Sequence, residues 1–191
     1  MTTQTAAPAT AHRDTAARLV FPALAVGILS CAVFAYILMF VPTSNGETLT
    51  SAGDYWLTAI GIPMVVALFL VTAGIHRLQG GRDGRFGRIG LVITGAAMTA
   101  FAVLFILGLI TGQDHAPGPM YPLSTLASIT GLVIFTIGII RARLLPPWAG
   151  LALVIGWLAG GPIAFFAAAP LLLAAVYAAL AILLRRAAET G

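Results

Sequence analysis

The sequence predicts an all-α fold: a polytopic transmembrane helix bundle of six spans with the N- and C-termini cytoplasmic. Three observations predict it. The chain is 60% hydrophobic and only 8% charged, with a mean hydropathy of +1.01, whereas soluble domains carry about a quarter charged residues because their surfaces face water. Several apolar runs reach about 20 residues, enough to cross a bilayer as a helix. All ten basic residues are arginines, and each group of them abuts the end of an apolar run.

Residues 1–18 are small and polar and read as a disordered cytoplasmic tail, having little to bury. The first span, 19–41, is longer than the apolar core of a cleaved signal peptide, about 7–15 residues, so it reads as a retained helix. Pro42 ends it, and the polar loop PTSNGETLTSAGD leads to a second span over 55–75. That span opens on Tyr55 and Trp56, amphipathic rings suited to headgroup level. A third span covers 89–111, the turn-rich TGQDHAPGPMYP follows, and a fourth covers 122–140. After RARLLPP, Trp148 opens the fifth.

Between Trp148 and Arg185 lie 36 residues, with two competing breakers, Gly160-Gly161-Pro162 and AAAP at 167–170. A turn at the first leaves a helix of about 13 residues, about 20 Å long, against a hydrocarbon core of about 30 Å. A turn at the second gives helices of about 19 and 15–16 residues, with Arg185 and Arg186 snorkelling. The expectation is therefore a turn near 167–169, with Pro162 near the end of helix five. The membrane domain is 19–186, and 187–191 form a short cytoplasmic tail.

Placing the N-terminus inside puts 1–18, 76–88, 141–147 and 185–191 on one side, and these hold every arginine. Ten arginines against Asp14, Asp83 and Glu189 make that side +7; Glu47, Asp54 and Asp114 make the other −3, in keeping with the formal +4 of the chain. This is the positive-inside rule, and the expected location is the inner (plasma) membrane, as a multi-pass protein. The arginine-rich segment HRLQGGRDGRFGRIG, 76–90, thus orients the chain. It is no P-loop, which ends in Gly-Lys-Ser/Thr between a strand and a helix. Arg77, Arg82, Arg85 and Arg88 are candidate contacts for anionic lipid headgroups, each worth about 1 kcal/mol near the surface. The expected partner is a bilayer with anionic headgroups on the cytoplasmic side, not a nucleic acid; a protein partner or homo-oligomer stays open.

Chemistry is harder to find. The central part of every span lacks Asp, Glu, Lys, Arg and His, whereas pumps and transporters keep costly intramembrane charge for use. His12, His76 and His115 lie in loops or at span ends, away from where haem ligands would sit, and no cofactor is expected. Cys31 is the only cysteine, so an internal disulfide is excluded, and its apolar setting reads as packing. Ser124, Thr125, Ser128 and Thr130 cluster at the start of span four, where interhelical hydrogen bonding is the expected role. Gly108-x-x-x-Gly112 and Gly156-x-x-x-Gly160 are expected to allow close helix approach. On the outer side, Asp54, Asp114 and His115 are weak candidates for a divalent cation. A short similarity links GIHR with FGRIGLVITG to GIIR with WAGLALVIG; convergence of two hairpins on one interface is the favoured explanation over a parallel repeat.

The stretch RARLLPPWAGLALVIGW resembles uncharacterised six-helix integral membrane proteins of actinobacteria and related bacteria, which carry Arg-x-x-x-Leu-Pro-x-Trp-Ala-Gly before the fifth span. Arg141, Leu145, Pro146, Trp148, Ala149 and Gly150 match, while Pro147 stands where arginine is commoner. The likeness covers about residues 55–185 and implies the six-helix fold but no activity. The leading functional expectation is a non-enzymatic bundle serving a partner or the cell envelope. A small-solute or lipid transporter is the alternative, and a membrane enzyme acting at the outer face comes third. Reporter fusions in the four basic segments are expected to read out the cytoplasm, and fusions in 42–54 or 111–121 the opposite side; one basic segment outside would overturn the topology.

Overall fold

A computed structural model of the protein describes residues 8–44, 48–113, 118–161 and 166–189. They form α1 (Pro8–Phe40), α2 (Ala52–Gln79), α3 (Gly84–Thr111), α4 (Met120–Ala142), α5 (Pro147–Gly160) and α6 (Pro170–Glu189). The only β pairing among them is an isolated bridge, Thr48 to Gln113. Each helix packs on its neighbours in the chain, and α6 closes back on α1, so the six form a ring.

The ring is apolar inside and out, as expected of a bundle solvated by lipid. Trp157, Tyr177, Phe101 and Phe135 fill the interior, with Phe101 meeting Trp157 edge-on at 5.9 Å between centroids. Leu29, Val92, Ile110, Leu126 and Ile155 point outward. Buried hydroxyls bond back to their own helices: Ser30 donates to the Val26 carbonyl at 2.7 Å, and Thr136 to that of Leu132 at 2.8 Å. Four segments are long and apolar enough to cross a membrane: Arg18–Phe40, α2, α3 and α4. Such helices mark a membrane-embedded protein.

Several boundaries differ from expectation. The apolar part of α1 begins at Arg18, but helical backbone extends back to Pro8, through residues assigned above to a disordered tail. The α2–α3 connection contracts to Gly80–Asp83, so Arg77 lies in the last turn of α2 while Arg85 and Arg88 lie in the first turns of α3. Gly80, Gly81 and Gly84 adopt φ of 58°, 82° and 60°, left-handed backbone that only glycine reaches cheaply; that is what reverses the chain so tightly.

The largest correction concerns α5. It ends at Gly160, at the first breaker rather than the second, and α6 starts at Pro170. The helices are 14 and 20 residues long instead of about 19 and 15–16. Pro162 lacks an N–H and disfavours helical backbone at Gly161, whose φ of −103° and ψ of −116° are non-helical. Pro162 itself lies outside the described residues. The end of α5 also rests directly on α6: a Cβ at Gly160 would come within 2.9 Å of the Ala169 carbonyl and 3.0 Å of Pro170 Cα. In the turn, Ala169 N donates to Phe166 O, and Leu171 N to Ala168 O, at 2.9 and 3.0 Å. Backbone pairing of this kind is what irregular chain requires where water is scarce.

The two Gly-x-x-x-Gly pairs behave differently. Gly156 and Gly160 do pack on α6, but Gly112 is the left-handed cap of α3, bonded to the Gly108 carbonyl at 2.8 Å. The tightest seam lies between α3 and α4. A Cβ at Gly90 would meet Phe135 Cα at 2.7 Å, one at Gly131 the Thr94 N at 2.6 Å, and one at Gly138 the Gly87 Cα at 2.8 Å. Gly90→Ala is expected to destabilise the protein by about 1–3 kcal/mol, because backbone must move to admit the methyl. Gly95→Ala, which meets only the movable Phe69 ring, is expected to cost less; equal unfolding midpoints in detergent would refute the seam.

Candidate functional site

Polar groups gather at the two ends of the ring. At the basic end, the glycine-rich turn folds Asp83 inward, where its side chain is fully buried and its Oδ2 accepts from His76 Nδ1 at 2.5 Å. Asp83 stands at the N-cap position of α3 yet makes no side-chain cap bond; the carboxylate serves α2 instead. It lies over Gly87, whose missing Cβ leaves the space, and beside Gly138 of α4. Asp83 Oδ1 and both amide atoms of buried Gln79 have no hydrogen-bond partner among the described protein groups. This polar pocket under the turn could not be foreseen, because a seven-residue spacing across a glycine turn carries no standard signature.

Around it stand the predicted headgroup contacts. Arg77, Arg82, Arg85 and Arg88 are all exposed, and none of them pairs with a carboxylate among the described residues. Arg141 lies over the Phe86 ring at 4.4 Å, and Arg185 over Phe21 at 5.8 Å, contacts that hold guanidinium by cation–π attraction. These contacts join the end of α4 to the start of α3, and the end of α6 to the start of the apolar part of α1. The arginine-bearing helix ends therefore share one end of the ring. That end is a cluster of exposed guanidinium groups around one buried carboxylate.

At the other end, the Asp54 carboxylate is held by hydrogen bonds in the connection between α1 and α2. It accepts from Ser44 N at 2.8 Å, Ser44 Oγ at 2.6 Å, Thr50 N at 3.1 Å and Ser51 N at 2.8 Å. Ser51 Oγ accepts in return from Asp54 N at 3.1 Å, completing a capping box at the start of α2. Leu49 N donates to the Gly112 carbonyl at 2.8 Å, so the α1–α2 connection and the end of α3 meet beside the Thr48–Gln113 bridge. Asp114 and His115 lie outside the described residues. Among those described, no three His, Cys, Asp or Glu side chains converge as a metal site.

In the α4 hydroxyl cluster, Ser128 accepts from Trp157 Nε1 of α5 at 2.8 Å and donates to Thr125 O at 2.8 Å. That is the interhelical hydrogen bonding expected of it. Cys31 is buried and free. Comparison with protein-family models, with curated proteins and with solved structures finds no match to this chain.

Asp54→Ala is expected to lower stability by about 1–3 kcal/mol, the cost of stranding buried donors, with bound divalent metal unchanged by elemental analysis. A fall in metal content at unchanged unfolding midpoint would reverse that assignment.

Proposed function

We propose that this chain is a non-enzymatic, six-span integral protein of a bacterial plasma membrane. Both termini and the basic face lie in the cytoplasm, against anionic headgroups, and the bundle serves a partner or the envelope. The observation that carries this reading is the packed interior: Trp157, Tyr177, Phe101 and Phe135 fill the ring, each under 2% exposed, and the central part of every predicted span lacks Asp, Glu, Lys, Arg and His. A bundle of this kind offers neither the charged groups nor the wet path that transport and proton relay use. The resemblance to six-helix actinobacterial proteins agrees with the span count and adds no activity.

The short α5 does not disturb this topology. It starts on the basic face at Pro147, and α6 returns there with Arg185 and Arg186. The arginines therefore stay on one side whether the hairpin reaches the far headgroups or turns within the hydrocarbon.

One feature favours the second reading, transport of a small solute or lipid. Interrupted helices in the membrane are where transporters build their sites, and the α5–α6 connection interrupts an apolar stretch. Single cysteines introduced in a Cys31→Ala background separate the two. At Thr94, Ser128 and Leu132 they are expected to resist a water-soluble maleimide in intact proteoliposomes and inside-out vesicles, while one at Arg82 reacts in the latter. Labelling of the interior positions would favour transport.

A further inference from the structure

Helices α1 and α2 each carry an internal proline, Pro22 and Pro63, and an outward-facing groove of about 350 Å³ opens between them. Its floor is Ala23 and Ala67, both buried, and its rims are Val26 and Val66, 44% and 42% exposed. The lining segments, 18–26 and 62–70, give it a length of about 12 Å along the helices. Every lining residue is apolar except one: Arg18. Arg18 is exposed and has no carboxylate partner among the described residues. Two helical turns beyond Leu70 on the same face of α2 comes Arg77, also exposed and likewise unpaired. An apolar trough with cations only at its headgroup end matches one kind of molecule, an amphiphile with an acyl chain and an anionic head.

We propose that the α1–α2 groove is a seat for one anionic phospholipid. Its acyl chain lies over Ala23 and Ala67 between the valine rims, and its phosphate meets Arg18, with Arg77 alongside. This rests on the reading of the basic face as cytoplasmic and deepens it from diffuse adhesion to a defined site. The physical cause is local. The paired alanines remove the side-chain bulk that would fill the space, and the proline rings hold the walls where lipid replaces protein contacts. A second copy of the chain would bury its own apolar helix here and make no use of Arg18, so charge complementarity favours the lipid.

The test uses the full chain purified in detergent, with lipid retention read by native mass spectrometry. Phosphatidylglycerol and phosphatidylcholine of identical acyl chains are the probes. The wild-type protein is expected to retain the anionic lipid preferentially, and Arg18→Gln to reduce that preference about fivefold, the value of one interfacial cation. Arg143→Gln makes the same charge change at the end of α4, away from the groove, and is expected to leave it within about twofold. Val66→Trp and Val26→Trp, at exposed rims that need no repacking, are expected to lower retention of both lipids. Equal losses in Arg18→Gln and Arg143→Gln would overturn the groove while sparing general adhesion of the basic face. No preference in the wild type would overturn both. Rim variants that retain lipid but lose self-association would assign the groove to a second copy and overturn the proposal. The orientation of the chain fails or stands separately, through the reporter fusions.

Discussion

Helices α3 and α4 touch backbone to backbone, and the rest of the ring is arranged around that contact. Between helices in hydrocarbon there is little hydrophobic drive, since lipid tails are as apolar as leucine; close van der Waals approach must supply the adhesion instead. Gly87 and Gly90 on one side, and Gly131 and Gly138 on the other, lack the side chains that would hold the axes apart, and Gly131 leaves the room that Thr94 takes. At the basic end the seam is closed by Asp83, which fits only because residue 87 has no Cβ. Through His76 the same carboxylate ties in the end of α2. On its other flank α4 receives α5, with Gly150 seated against Thr136 and the Trp157 indole bonded to Ser128. One seam thus sets the positions of four helices.

The two ends of the bundle solve different problems. The end opposite the basic one is fastened by neutral and charge-assisted hydrogen bonds that gather two loops and cap α2. At the basic end the His76–Asp83 pair is tucked under the turn, while Arg141 and Arg185 stack on rings and Arg77, Arg82, Arg85 and Arg88 face outward. Exposed guanidinium groups are costly to move into hydrocarbon, so they mark where that end of the bundle stops.

Much of the architecture was legible because it is written in transfer free energies. Apolar runs report spans, and arginines report their ends, so helices α2, α3 and α4 were located to within a few residues. Failures came where local backbone chemistry competes with length. The 14-residue α5 contradicts the argument from bilayer thickness, since it stops at Gly161, whose backbone is non-helical and which precedes a proline that disfavours helix there. The arginine segment read as a long loop because polarity was taken for irregularity, although glycines at 80, 81 and 84 suffice to turn the chain in four residues. The main seam escaped notice for a related reason: Gly87, Gly90, Thr94 and Ala97 recur at helical spacing without forming the familiar five-residue motif. At the candidate sites, exposed arginines were identifiable one by one, but the Asp54 capping box and the buried His76–Asp83 pair depend on loop folding that residue types do not encode.

The shortness of α5 has a mechanical corollary for the surrounding lipid. Its helical length is about 21 Å, against about 35 Å for its neighbour α4. Acyl chains beside a helix shorter than the hydrocarbon core tilt or compress to match it, at a fraction of a kcal/mol per ångström, so the thickness of a host bilayer bears on α5 before it bears on α4.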